Sequence, residues 1–246
     1  NAVSFVFDIS YSMMANDAPD KKTRLEAAAN YAQMLLSHMK GIPVTVVLAK
    51  GDGVLVVPLT EDKAVVETLL ESLNPKLISS VGTSLGKGII AAHKGFPTNS
   101  SLANRIWVFT DGDETDGLLE KSILDCVRSG VSVSLIGFGS EQEIQVIAGD
   151  GKTAGYTSLK SEKMKKIVAN VEKNSSAEIK NGVTVNYIDA TEAGSALKLL
   201  KTVSPKFNSK YESNSITYEL KPVKRYSLFL GLAIFFFILG FFVTEF

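Results

Sequence analysis

The sequence predicts an α/β domain built on a mostly parallel sheet with helices on both faces. Apolar runs of strand length, rich in β-branched residues, recur along the chain, helical patterns separate them, and the runs lack the alternation of strands with one wet face. Continuously apolar strands are covered on both sides, and parallel neighbours need crossover connections, which the intervening helices supply.

The elements follow in order. "VSFVFD" at 3–8 is the first strand, and Thr23 then offers a cap for a helix with Leu25, Ala28, Ala29, Ala32, Leu35, Leu36 and Met39 on one face. Gly41 and Pro43 stop that helix before the strand "VTVVLA" at 44–49. "LVVPLT" at 55–60 contains Pro58, which cannot donate to a ladder and suits an edge. A helix follows Thr60, with Glu61 and Asp62 in its first turn and Val65, Val66, Leu69, Leu70 and Leu73 inward. Others follow Thr83, Gly117, Ser161 and Thr191, the last with Ala193, Ala196, Leu197 and Leu200 on one face. "RIWVFT" (105–110), "VSVSLIGFG" (131–139) and "VTVNYID" (183–189) complete the strands, and "EIQVIAGDGKTAGYTSLK" reads as a hairpin around Asp150 and Gly151. The pattern holds no internal repeat.

Lys+Arg and Asp+Glu both number 26, so a formal net charge of zero removes the electrostatic footprint of a nucleic-acid binder. The single cysteine, Cys126, forbids an intrachain disulfide and reads as a packing residue. His38 and His93 fall on separate helices without ligand spacing. Asn1 already lies at the edge of a strand, with no leader features, so the chain reads as a processed or trimmed product of a longer one. Tyr226 to Val243, "YSLFLGLAIFFFILGFFV", runs 18 residues without a charge. At about 1.5 Å per residue it reaches about 27 Å, near the roughly 30 Å of a hydrocarbon core, and predicts a transmembrane helix. Lys221, Lys224, Arg225 and Tyr226 would anchor it at the interface. The expected organisation is a domain at 1–203, a polar linker and juxtamembrane segment at 204–225, and the span at 226–243.

Ligands of an open parallel sheet sit beyond the carboxyl ends of its strands. Three segments deliver oxygens there: Asp8, Ser10 and Ser12 in "DISYSMM", Thr83 in "SSVGTSLGKGI", and Asp111 in "RIWVFTDGDETDG". Taken singly, the serines could be turn residues and Thr83 a helix cap; their conjunction at one edge argues for a site. With no His or Cys nearby the set is hard and all-oxygen, suited to Mg²⁺, Mn²⁺ or Ca²⁺ and not to zinc. Asp8 and Asp111 only balance a dication, and so few ligands leave an open position for a carboxylate from another molecule. Asp113, Glu114 and Asp116 read as a solvated loop, and Met13 and Met14 as packing residues.

"DISYS", Thr83 in "GTS" and Asp111 in "FTDGDE" resemble the DxSxS, T and D elements of the metal-ion-dependent adhesion site of von Willebrand factor A domains. "RLEAAANYAQML", "VPLTEDKAVVETLLESL" and "VNYIDATEAGSALKLL", with the terminal apolar segment, look most like the membrane-anchored bacterial Bat (aerotolerance operon) branch. The resemblance covers about residues 1–203 and implies a Rossmann-like sheet, with Ser10, Ser12 and Thr83 coordinating Mg²⁺ and Asp8 and Asp111 contributing directly or through water. It also implies association with other von Willebrand factor A proteins and a MoxR-type AAA+ ATPase. One departure is Tyr11, where the family usually has Gly. Bat proteins also commonly carry membrane helices before the domain, and none is visible here. Lys221, Lys224 and Arg225 before the span would hold the domain in the cytoplasm, whereas the resemblance points to the extracytoplasmic side and is the preferred expectation.

Enzyme readings meet obstacles. An aspartyl-phosphate hydrolase using Asp8 lacks the usual acid two residues on, where Ser10 stands. Gly86 and Lys87 suggest a phosphate loop, but Gly88 replaces the hydroxyl that would hold Mg²⁺. Ser84 and Lys87 have S-x-x-K spacing without the companion motifs. The expectation is a membrane-anchored, divalent-metal-dependent protein-binding module that is not an enzyme; the alternatives are a metal-dependent phosphohydrolase using Asp8 and a metal-independent structural scaffold.

Overall fold

A computed structural model describes residues 1–98, 102–147 and 153–204. Six strands form one sheet: β1 (Ala2–Asp8), β2 (Val44–Ala49), β3 (Gly53–Thr60), β4 (Asn104–Thr110), β5 (Ser132–Gly137) and, after a separate antiparallel pair β6 (Ile144–Ile147) and β7 (Thr153–Thr157), β8 (Val185–Asp189). The order is β3-β2-β1-β4-β5-β8, and every pairing is parallel except β2 with β3. Pro58 therefore sits on an edge strand, where its missing donor costs no ladder bond to a second neighbour.

The strand pleat divides the core into two layers. Val3, Phe5 and Phe7 of β1, with Trp107 and Phe109 of β4, face α1 (Arg24–His38), α2 (Lys63–Glu71) and α7 (Ser195–Val203). Val6, Ile106 and Val108 face α3 (Leu85–Lys94), α4 (Leu119–Arg128) and α5 (Ser161–Asn174). Phe5 stacks on Trp107 with centroids 5.7 Å apart and Phe7 on Phe109 at 4.6 Å, pinning the β1–β4 register beneath the carboxyl edge. The short helix α6 (Ser176–Lys180), which the sequence pattern did not suggest, leads from α5 toward β8.

Thr23 caps α1 in a reciprocal box with Glu26, and Gly41 turns the chain out of it at φ 65°. The expected inward faces of two helices need correction. In α2 only Val66 and Leu70 are fully buried; Leu69, and Leu73 just past the helix, are half-buried and Val65 is exposed, because the helix packs mainly on α1 and turns one row inward. The last helix starts at Ser195 behind the left-handed Gly194, so its buried row is Ala196, Leu199, Leu200 and Val203, while Ala193 stays outside and Leu197 is half-buried.

Among the described residues no helix is long and apolar enough to cross a membrane; the expected span at 226–243 and the linker from 205 onward lie outside them. The domain's two ends meet at the pole opposite the carboxyl edge, where the Asn1 amide donates to the Val203 carbonyl at 2.7 Å.

Gly53, at the start of β3, lies against the backbone of α3: a Cβ there would come 2.3 Å from the Lys87 carbonyl oxygen and 2.7 Å from the Gly88 nitrogen. Gly53→Ala is expected to lower unfolding free energy by about 1–3 kcal/mol, the usual overpacking cost, as read by urea denaturation. An unchanged midpoint would mean the edge strand is free to move off α3.

Candidate metal centre

The chain proceeds from β1 to β2 on one side of the sheet and returns to β4 on the other side of β1, so the strand order reverses between β1 and β4. The crevice of such a sheet opens beyond the carboxyl ends at that reversal. Asp8 is the last residue of β1 and Asp111 the first after β4, and both side chains are fully buried there.

A 3₁₀ turn, Tyr11–Met14, folds the chain back so that Ser10 and Ser12 face the crevice, with buried Met13 anchoring it below and Met14 packed against the same core. The Asp8 carboxylate accepts the Ser10 backbone N–H at 2.9 Å and the Thr110 hydroxyl at 2.7 Å. The Ser10 and Ser12 hydroxyls lie 2.9 Å apart, and the Ser12 hydroxyl reaches Asp111. Four of the five expected ligands are thus linked side chain to side chain or through one amide. Thr83 comes to the same edge differently. Its carbonyl accepts the Thr115 N–H at 3.0 Å and hydroxyl at 2.9 Å, its own N–H donates back to that hydroxyl at 3.1 Å, and it is thereby fastened to the loop after Asp111. The helix cap is Ser84, not Thr83, so the Thr83 hydroxyl has no capping duty.

Arg24 is the residue whose role the sequence concealed. Its fully buried guanidinium donates to Asp111 Oδ2 at 2.7 Å and Thr157 Oγ1 at 3.2 Å, and grips Asp17 through two bonds of 2.8 and 2.7 Å. Asp17 in turn accepts the Ser140 N–H at 2.8 Å. The network ties α1, the loop after β5, and β7 to the carboxylate at the crevice. Thr110 and Thr115 were also missed, and only Thr110, adjacent to Asp111, left a signal in the sequence.

Burial raises the Asp8 carboxyl to about 7, and the neighbouring Asp111 charge adds to it, against the hydrogen bonds from Ser10 and Thr110. Burial likewise raises Asp111, outweighing the bonds from Asp113, Ser12 and Arg24. Asp17 is also penalised by burial, yet its bonds to Arg24 and Ser140 hold it below the usual range. Two buried carboxylates under mutual strain, with Arg24 already engaged by Asp17, fit a bound dication. Among the described residues no group of three or more His, Cys, Asp and Glu side chains gathers as a metal site, so further donors to an ion would be the hydroxyls of Ser10, Ser12 and Thr83.

The neighbouring acids have structural duties that a purely solvated loop would lack. Glu114 accepts the Leu119 N–H at the start of α4 and lies 3.7 Å from Lys163; Asp116 accepts the Leu118 N–H and the Ser84 hydroxyl. Gly86 and Gly88 serve close packing, since a Cβ would meet Leu118 at 2.6 Å and Ala49 at 2.7 Å respectively. Burial pushes the Cys126 thiol up to about 12, as suits an inert core cysteine.

Removing the buried cation with Arg24→Met leaves two carboxylates uncompensated and is expected to cost about 3–5 kcal/mol in denaturant titration. The ion-free protein has a second signature. Asp8 keeps its proton to about pH 7 when folded but loses it near 3.8 when unfolded, so its contribution is fully present in acid and is lost as pH rises through about 7. Asp17 acts oppositely, losing its contribution only as pH falls below the ordinary carboxylate range. Urea midpoints in EDTA are expected to fall between about pH 5 and about pH 8, and added Mg²⁺ to restore them.

Residues 3–114 match the von Willebrand factor type A domain. No curated protein sequence matches the chain. Among solved structures, the conserved hypothetical protein BatB from Bacteroides thetaiotaomicron matches with a TM-score of 0.67 at 24% identity, covering 84% of this chain and 98% of its own. An aerotolerance-related membrane protein from Bacteroides fragilis gives 0.66 at 23% identity, with the same coverage of 84% and 98%. The PilB minor pilin from Streptococcus sanguinis gives 0.55 at 13% identity, covering 83% of this chain and 60% of its own. At these identities the likeness to the solved structures is one of fold. Residues 3–114 thus resemble a von Willebrand factor type A domain, and the fold lies near those of BatB and the aerotolerance-related protein.

Proposed function

We propose that the chain is a membrane-anchored module that captures a partner protein through a bound divalent cation. Ser10, Ser12 and Thr83 would hold Mg²⁺, with Mn²⁺ or Ca²⁺ as alternatives, and Asp8 and Asp111 would contribute directly or through water. The ion's role is to accept an acidic side chain of the partner at the position the protein leaves open. The observation that carries the reading is the pair of fully buried carboxylates at the reversal of the sheet, joined to two serine hydroxyls, with Arg24 shared between Asp111 and Asp17 and, among the described residues, no ion pair to Asp8. Arg24 does not neutralise both carboxylates, because its second face is spent on Asp17.

The apolar segment at 226–243 would anchor the module. Because the described domain ends at the pole opposite the crevice, an anchor entering there would leave the ion facing away from the bilayer. The fold neighbour from Bacteroides fragilis is a membrane protein related to aerotolerance, which favours a bacterial envelope system of the Bat kind, with other von Willebrand factor A proteins and a MoxR-type ATPase as partners and an extracytoplasmic domain. A phosphohydrolase using Asp8 is less favoured, since the residue placed to protonate a leaving group is Ser10.

Calorimetry on the full chain in detergent is expected to detect Mg²⁺ binding that Asp8→Ala and Thr83→Ala weaken by at least about tenfold. Partner capture should vanish in EDTA and in both variants. Capture indifferent to EDTA would point to a metal-independent scaffold, and phosphoester turnover lost in Asp8→Asn would point to an enzyme.

A further inference from the structure

The rim of the crevice is not uniform, and its β2 side carries features that the ion site does not use. Lys50, at the carboxyl end of β2, is 6% exposed. Its ammonium donates to the Pro75 carbonyl at 2.8 Å and the Ile78 carbonyl at 3.0 Å, and the Tyr11 ring lies over it with the centroid 5.0 Å away. Carbonyls and a ring face satisfy its donors without neutralising it, and among the described residues no carboxylate lies within ion-pair distance. A buried cation left in this state is complementary to an anion arriving from outside.

The segments fastened around this cation expose apolar side chains. Tyr11 stands between Ser10 and Ser12 and is 50% exposed; Val81, two residues before Thr83, is 93% exposed; Leu77 is 44% exposed. They are held there by the same framework. Lys50 pins the 75–78 segment, the Ser84 N–H donates to the Lys50 carbonyl, and Gly51 has no room for a Cβ because the Val81 backbone lies against it. Three exposed apolar side chains anchored on a buried lysine, beside the two serines and Thr83, are more than scattered surface residues.

We infer that Tyr11, Leu77, Val81 and Lys50 form the specificity rim of the crevice, selecting an extended segment of a partner protein in which an Asp or Glu is flanked by large apolar side chains. This rests on the ion-dependent reading of the site. Charge supports the choice of occupant. Around a bound dication Asp8, Asp17 and Asp111 are ionised, and these three carboxylates, Arg24, Lys50 and the ion sum to one positive; a single incoming carboxylate brings that sum to neutral. A purely apolar occupant would leave that charge unmet, and a carboxylate without apolar neighbours would leave Val81 and Tyr11 in water.

The test compares two blocked pentapeptides, Gly-Leu-Asp-Phe-Gly and Gly-Ser-Asp-Ser-Gly, titrated into the full chain in detergent with saturating Mg²⁺ or with EDTA. The ratio of the two affinities cancels any change in ion affinity, since both peptides need the same ion. The wild type is expected to prefer the apolar-flanked peptide by about tenfold, and the Tyr11→Ser/Val81→Ser double variant to reduce the preference to about twofold or less. Lys50→Gln should weaken both peptides by about tenfold. Val65→Ser, on the far α2 surface, should keep the ratio. Mg²⁺-dependent binding with a ratio near one, a ratio that survives the double variant, or full affinity in Lys50→Gln overturns the rim alone. Binding that persists in EDTA, or no binding of either peptide, overturns the ion-dependent reading and the rim with it. Mg²⁺-induced self-association that excludes the peptides would show the rim to be covered by a second copy and would also overturn the proposal.

Discussion

The guanidinium of Arg24 joins parts of the chain that are remote in sequence, reaching Asp111 across 87 positions while gripping Asp17 within its own neighbourhood. A charge fully out of water is tolerable only when its donors are spent on partners, and here the carboxylates of Asp17 and Asp111 and the Thr157 hydroxyl take them. Its neighbours are shaped to admit it. Gly139 adopts φ 115°, and a Cβ there would come 2.3 Å from Arg24 Nε, so that position requires glycine twice over. The carboxylate at the crevice, the loop after β5 and the β6–β7 pair therefore share one support.

That support has an electrostatic consequence. Arg24 divides its charge between Asp111 and Asp17, and Asp8, to which no ion pair reaches among the described residues, is left with its burial and its neighbour's charge to bear. The floor of the crevice is thus short of positive charge, while its rim holds Lys50, whose ammonium is short of negative charge. The two do not meet in an ion pair, because Lys50 is held by the Pro75 and Ile78 carbonyls.

Local patterns carried much of this in the sequence. The strands from Val3 to Asp8 and from Arg105 to Thr110 were legible because burial on both faces leaves unbroken apolar runs, and the three oxygen-bearing segments were legible because each directly follows a strand or starts a helix. Pro58 identified its edge, since a missing N–H has few permitted places. Arg24 was hidden because a helix-start arginine reads as a solvated residue, and its partners are selected by the tertiary fold. Assigning the cap between Thr83 and Ser84 needed backbone angles that neighbouring hydroxyls do not reveal. Val65 and Ala193 misled for a related reason: helical periodicity gives a stripe, but the width and start of the stripe depend on what the helix lies against.

The clasp between the Asn1 amide and the Val203 carbonyl has an architectural implication. Whatever polypeptide adjoins the domain upstream and downstream departs side by side, much as two wires leave one socket. A unit wired in this way can be spliced into a surface loop of an unrelated host without stretching either protein.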